Sequence, residues 1–304
     1  MQAEHTGTSL SSLERVRRAI QHHPPDRTPR GEILIDDAVI ESAVSRRRIG
    51  FEERSEFASL LGLDIICLSP QGPSPQGELP EPGDLPWPDL QQWTRQTGLF
   101  VFGILDGPLG WGGKLFGYKR TLTLPIRSPE AWNDFSGKVE RLNADLAERI
   151  SDQGVHGLIL ADDLAYPGGL LMGSRITKDM ILPSLARQAH RMLSGGLPTF
   201  FHSDGNITEI IPALAGIGFH GLHCIDPKSG MDWRDLKCRY AGRLCLWGTL
   251  TVDDLAQSRD REFLTDLAGK IRETCAGGGF ILGTTSGIFK GLDVEALRGI
   301  YEQV

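Results

Sequence analysis

Little in the sequence cross-links or anchors the chain. Its five cysteines, Cys67, Cys224, Cys238, Cys245 and Cys275, are odd in number and form no C-x-x-C pair. This argues against a disulfide framework or a zinc ribbon and points to a reducing, cytoplasmic setting. No stretch approaches the roughly 20 apolar residues of a membrane span. The opening MQAEHTGTSLSS lacks the basic start and apolar run of a secretory signal, so residues 1–12 read as a flexible tail. Positive charge is in deficit, 32 Lys and Arg against 39 Asp and Glu, giving a net charge of -7 spread along the chain. Such a balance removes any general attraction to nucleic acid or to an anionic membrane. A phosphate loop is missing too, because the glycines of AGGGFILGTTSG precede their strand and no lysine follows where one is required.

What the sequence does contain is repetition of one kind of unit. Short apolar runs occur near 31–35 (GEILI), 63–69, 99–105, 156–161, 198–203, 220–225, 243–250 and 279–285. Their unbroken hydrophobicity suits strands buried on both faces, and the segments between them are amphipathic. SLARQAHRML puts Leu185, Ala189 and Met192 on one side of a helix, and DREFLTDLAGKIRETC repeats Phe263, Leu264, Leu267 and Ile271. Ser11 and Glu14 stand at capping-box spacing before a helix through LERVRRAIQ. Eight such units predict an α/β chain folded as a single (β/α)8 TIM barrel over residues 13–304.

In such a barrel, chemistry sits at the C-terminal strand ends and the loops that follow them. Polar residues collect there: Glu32, Asp106, Asp162, Asp163, His202, Asp204, Cys224, Asp226 and Ser286. In HSDGN the step from His202 to Asp204 puts an imidazole and a carboxylate near one another as the chain turns, a donor pair that suits zinc or another divalent metal. The alternatives are a hydrogen-bonded His–Asp pair without metal, or an aspartate capping the next helix beside Asn206. Successive strand residues face opposite ways, so only one of Asp162 and Asp163 need enter the mouth, as general base, metal ligand or substrate-orienting group. Three loops could cover a site: the proline-rich 70–90, which is expected not to join a core; the glycine-rich 106–120, an Ω-like loop with Trp111, Phe116 and Tyr118; and 162–175, whose paired glycines could hinge.

The segments LILADDLAY, FFHSDGNITEIIPALAGIGFHGLHCIDPKSGMDW and GGGFILGTTSGI, with PPDRTPRGEI near the start, resemble the uroporphyrinogen decarboxylase superfamily, most strongly over residues 156–290. That resemblance implies a TIM barrel and either of two enzyme activities, decarboxylation or cobamide-dependent methyl transfer. The decarboxylase pattern is incomplete: Arg27 and Arg30 do not fall in an RQAGRY motif, the second strand ends ICLSP without its aspartate, and the last ends GTTSGI without its histidine. In the thiol-methylating branch zinc is held by His-x-Cys and a later Cys. His202 matches that histidine, Asp204 occupies the first cysteine position, and Ser286 falls near the second.

The resemblance therefore implies a methyltransferase moving a methyl group from a small, oxygen-bearing substrate to a corrinoid carried by a separate protein. Metal would sit at His202 and Asp204, completed by Glu32, Asp163 or Cys224; without metal, Asp163 or Asp204 would act as the acid. Asp163, His202 and Asp204 are the catalytic candidates, with Glu32, Asp106, Trp111, Asp162, Tyr166, Cys224, Asp226 and Ser286 binding substrate. Loops 70–90 and 106–120 are the candidates for docking the corrinoid protein, and some relatives dimerise. Uroporphyrinogen decarboxylation is the alternative activity, and a non-catalytic ligand-binding barrel a second.

Overall fold

In a computed structural model that describes residues 9–46, 48–72 and 77–304, parallel strands curl into a ring with helices around it. The strands are β1 (Ile65–Leu68), β2 (Phe100–Asp106), β3 (Gly157–Ala161), β4 (Ala165–Tyr166), β5 (Gly169–Leu170), β6 (Thr199–His202), β7 (Gly221–Ile225), β8 (Cys245–Leu250) and β9 (Phe280–Thr284). Seven form one parallel sheet in the order β1-β2-β3-β6-β7-β8-β9, while β4 and β5 make a small antiparallel hairpin beyond the end of β3.

The eighth position of the ring is a correction to the expected strand at 31–35. Arg30 bridges Leu282 of β9 and Gly31 bridges Ile65 of β1, which closes the ring, but the segment then swings away so that Ile35 bridges Ile288. Crowding explains why the strand stops there. A side chain at Gly31 would meet Ile65 at 2.7 Å and Trp247 at 3.0 Å, so the backbone slips between its neighbours at a single point and cannot lie flat along them.

Alternation along the strands builds two cores. Phe100, Phe102, Ile159, Phe200, Trp247 and Ile281 point inward and fill the barrel, joined by Val16, Ala19 and Ile20 of the helix Ser12–Ile20, which plugs the lower end. The other faces pack against the surrounding helices, among them the expected Leu182–Ser194 and Arg261–Cys275. Leu185, Ala189 and Met192 are buried as their spacing predicts.

Below the ring the buried Asp64 carboxylate accepts from Ser12 Oγ and Arg15 Nη1 at 2.7 Å, from Arg27 Nη1 and Nη2 at 2.7 and 2.9 Å, and from Arg30 N at 3.0 Å. Leu10 and Ser12, at the end of the stretch expected to be a tail, are thus tied down, Leu10 N donating to Asp26 at 2.9 Å; residues 1–8 lie outside the described residues. Ser11 caps the helix by accepting from Glu14 N, but the Glu14 carboxylate pairs with Arg18 and does not complete a capping box.

Two of the three long loops also differ from expectation. Residues 106–120 are largely helical, Pro108–Phe116 running into Tyr118–Arg127. Their glycines serve close packing: a side chain at Gly107 would meet Asp162 at 2.4 Å and one at Gly112 would meet Thr121 at 2.5 Å. Within 70–90, Leu85 and Leu90 join the core with Leu79 and Trp87 packed against it, while 73–76 lie outside the described residues. Residues 162–175 hold the β4–β5 hairpin.

Candidate metal centre at the barrel mouth

In β6, Phe200 faces the barrel interior and Phe201 the helices, so His202, two residues beyond Phe200, also faces inward. The chain then turns. Ser203 is buried, its Oγ accepting from Leu164 N at 2.9 Å, and Gly205 adopts φ +79° where a side chain would strike the Ala165–Tyr166 backbone at 2.5 Å. Only glycine serves such a position, by its backbone freedom as well as its size. Asn206 N donates to Tyr166 O at 3.0 Å, stitching the turn to the hairpin. Asp204 N donates to Asp163 Oδ1 at 2.9 Å and pulls that carboxylate toward the histidine.

Asp163 Oδ1 lies 3.7 Å and Asp204 Oδ1 4.0 Å from His202 Nε2. These gaps are too long for hydrogen bonds, yet one donor atom from each residue lies within 4.8 Å of the others. An ion with bonds of about 2.0–2.2 Å holds its ligand atoms roughly 3–3.5 Å apart, so a small closure of the two carboxylates would seat one. One imidazole and two carboxylates make a borderline-to-hard donor set, and three protein ligands leave positions for water or substrate. The residues fit a divalent metal. The Asp163 and Asp204 side chains are 48% and 65% exposed, so the centre is open to solvent. Loss of hydration against the wall of the mouth raises the Asp204 carboxyl above its ordinary value; His202 opposes the rise, and Asp163 and Asp226 add to it.

His202 has one further partner, which the sequence reading did not single out. His223, its register partner on β7, sits with Nδ1 2.8 Å from His202 Nδ1. It is fully buried, and burial, reinforced by His202, holds it well below the usual histidine range and therefore neutral. HGLHCI contains this histidine in plain view; what is missing from the sequence is that the fifth and sixth runs pair in the register that sets the two rings side by side.

The other candidates scatter. Asp162 faces the opposite way from Asp163, accepts from Gly110 N at 2.8 Å at the start of the helix Pro108–Phe116, and is pushed up to about 8 by burial. Asp106, partly exposed, pairs with Lys114. Trp111 is buried in the core under Lys114. Glu32 is buried, bonded to Thr284 N and Oγ1 and to the Tyr301 hydroxyl, and its carboxyl is pushed up to about 7 by burial. The Cys224 thiol donates to Thr285 O at 3.0 Å, and burial raises its pKa so far that it stays a thiol, no ready fourth ligand. Asp226 accepts from Lys228 N and Ser229 Oγ in its own turn. Tyr166 is exposed on the hairpin beside the centre, and Ser286 is exposed beyond β9. Across the ring, a cavity of about 340 Å³ opens at the end of β1, with Ile33, Ile35, Ile49, Ile66, Leu68 and Arg54 in its wall.

A family model described as uroporphyrinogen decarboxylase (URO-D) matches residues 94–304. No curated protein matches the chain. Among solved structures, a methyltransferase from Methanosarcina mazei is similar with TM-score 0.74 at 15% identity, over 97% of this chain and 98% of that one. A B12-independent methionine synthase from Shewanella sp. W3-18-1, in complex with selenomethionine, is similar with TM-score 0.53 at 13% identity, over 92% of this chain and 93% of that one. At these identities the likeness is one of fold.

Proposed function

The chain belongs to the uroporphyrinogen decarboxylase family, and from that membership we propose that it is a methyltransferase taking a methyl group from an oxygen of a small molecule and delivering it to a corrinoid on a separate protein. The convergence of Asp163, His202 and Asp204 at the ends of β3 and β6 carries this reading. A divalent ion held there supplies Lewis acidity toward the oxygen that gives up the methyl group. As the C–O bond breaks, its electron pair stays on that oxygen and the methyl carbon bonds to the incoming acceptor.

The chain's own residues hold the reactants in place. His202 and the two carboxylates fix the oxygen, and the hairpin with Tyr166 forms one wall. The raised pKa of Asp204 also suits it to hand a proton to the leaving oxygen where no ion assists. Replacement of two family thiolates by Asp204 and a residue near Ser286 hardens the donor set, which favours an oxygen over a soft sulfur.

The decarboxylase alternative is weakened by the fate of its cationic candidates. Arg27 is bound to Asp64 below the ring, and the half-buried Arg30 stacks on Tyr301 and donates to Val304 O. Neither reaches the mouth to hold a polycarboxylate.

The test is metal uptake followed by methyl transfer. Chain purified without chelator and loaded with zinc should methylate a reduced corrinoid from an aryl methyl ether, seen in the cobalt absorption spectrum, and His202→Ala should lose both uptake and transfer. A chain that takes up no divalent metal would remove the Lewis-acid reading. Methylation of a thiol without corrinoid, in keeping with the name of the Shewanella protein, would replace the acceptor.

A further inference from the structure

We infer that His223 is a positioning residue for the metal-facing nitrogen of His202: it accepts the Nδ1 hydrogen of His202 and thereby leaves His202 Nε2 bare toward Asp163 and Asp204. The inference rests on the metal-centre reading above and concerns how that centre is kept ready.

The two Nδ1 atoms lie 2.8 Å apart, a distance at which one hydrogen, and only one, fits between them. Two bare nitrogens would repel, and two N–H groups would collide. With both rings neutral they hold opposite tautomers. Were His223 the donor, His202 would carry its hydrogen on Nε2, where the nearest carboxylate oxygens, at 3.7 and 4.0 Å, are out of hydrogen-bond reach. His223 Nε2 would then be a bare acceptor in a fully buried place with no donor to meet it. With His202 as the donor His223 is no longer a buried bare acceptor, and the lone pair of His202 Nε2 is left facing two carboxylates, an arrangement that a cation between them satisfies. The bare Nε2 looks into the gap between the carboxylates, and His223 keeps its hydrogen on Nε2, toward the Thr284 backbone that bears on this ring, short of normal hydrogen-bond geometry.

The arrangement is mechanically firm. His223 is fully buried and packs edge-on against Trp247, with ring centroids 5.1 Å apart and planes at 79°. Its backbone is held in register with His202 by the β6–β7 ladder. A ligating histidine commonly gives its second N–H to a carboxylate or carbonyl, and a carboxylate there makes it a stronger base. A neutral imidazole orients the ring without that added basicity, so a bound ion keeps more of its Lewis acidity.

Long-range 1H–15N spectra of the metal-free wild-type chain labelled at histidine test the assignment directly. We expect His202 to carry its hydrogen on Nδ1 and His223 on Nε2; the reverse pattern overturns the inference. Cobalt(II) titration followed by absorption tests the consequence. His223→Phe should bind about 10–100-fold more weakly, and His223→Asn, whose side-chain oxygen can accept the same hydrogen, should recover most of that loss. Unchanged affinity in His223→Phe, with binding abolished in His202→Ala, sinks the inference alone. No cobalt uptake by the wild type sinks the metal reading, and the tautomer spectra still decide the pairing of the two rings.

Discussion

The two ends of the barrel each concentrate aspartate, and they treat it in opposite ways. At the lower end Asp64 is fully buried and accepts five hydrogen bonds of 2.7–3.0 Å, three of them from arginine side chains. At the mouth, Asp163 and Asp204 stand beside one another and a histidine, 48% and 65% exposed, with no Lys or Arg side chain paired to them among the described residues and gaps of 3.7 and 4.0 Å. A buried charge must be matched within the protein or it costs several kcal/mol, whereas exposed charges can be left unmatched at small cost until a ligand arrives. Saturation marks the structural end; open valence marks the one proposed to work.

The contrast is broken most severely by emptying the saturated end. Asp64→Ala leaves Arg27 without its counter-charge and the buried Arg15 with Asp26 as its one remaining carboxylate. Chemical denaturation should show a loss of about 3–5 kcal/mol, with the metal affinity of the remaining folded protein unchanged. The converse result, intact stability and lost metal binding, would erase the distinction between the ends.

Glu32 sharpens the comparison because it is an acid inside the wall, buried with no cation paired to it among the described residues. Its folded-state carboxyl stands at about 7, above the ordinary 4.5, so the folded chain holds its proton more tightly than the unfolded one. The stability tied to that proton is present below about pH 4.5 and lost as pH rises through 7, up to about 3 kcal/mol. Glu32→Gln should flatten the denaturation free energy across this window; an unaltered slope would place the pH dependence elsewhere.

Gly205→Ala probes the turn that holds the mouth open. Forcing a side chain to φ +79° against the hairpin backbone should cost about 1–3 kcal/mol and weaken metal binding as well, read by thermal melting and cobalt titration. The smallest stability effect belongs to the working end. Asp204→Asn relieves repulsion from Asp163 and should shift the unfolding free energy by less than about 0.5 kcal/mol, yet lower metal affinity by at least about tenfold in the same titration. A large loss of stability would make Asp204 a structural acid like Asp64.

How far the sequence discloses this division depends on the range of the interaction. Unbroken apolar runs reveal the strands, and period two along PTFFHS turns His202 inward, because both signals are local. Opposite facing of Asp162 and Asp163 follows from the same rule and places one at a helix start and the other at the centre. Partnerships across strands are not local. The match of His223 to His202, the capture of Glu32 by Tyr301 from the far end of the chain, and the glycines of 107–112 that admit Asp162 and Thr121 all require the ladder register. That is why a helix was hidden in a glycine-rich stretch and why Glu32, read as facing the mouth, lies within the wall.

The helix Ser12–Ile20 that stoppers the lower end leaves the barrel a one-ended vessel. In the methyl transfer proposed above, donor and acceptor would share a single doorway, and whatever leaves would depart past whatever waits to enter. Traffic of that kind makes each reactant, in excess, an obstacle to the other.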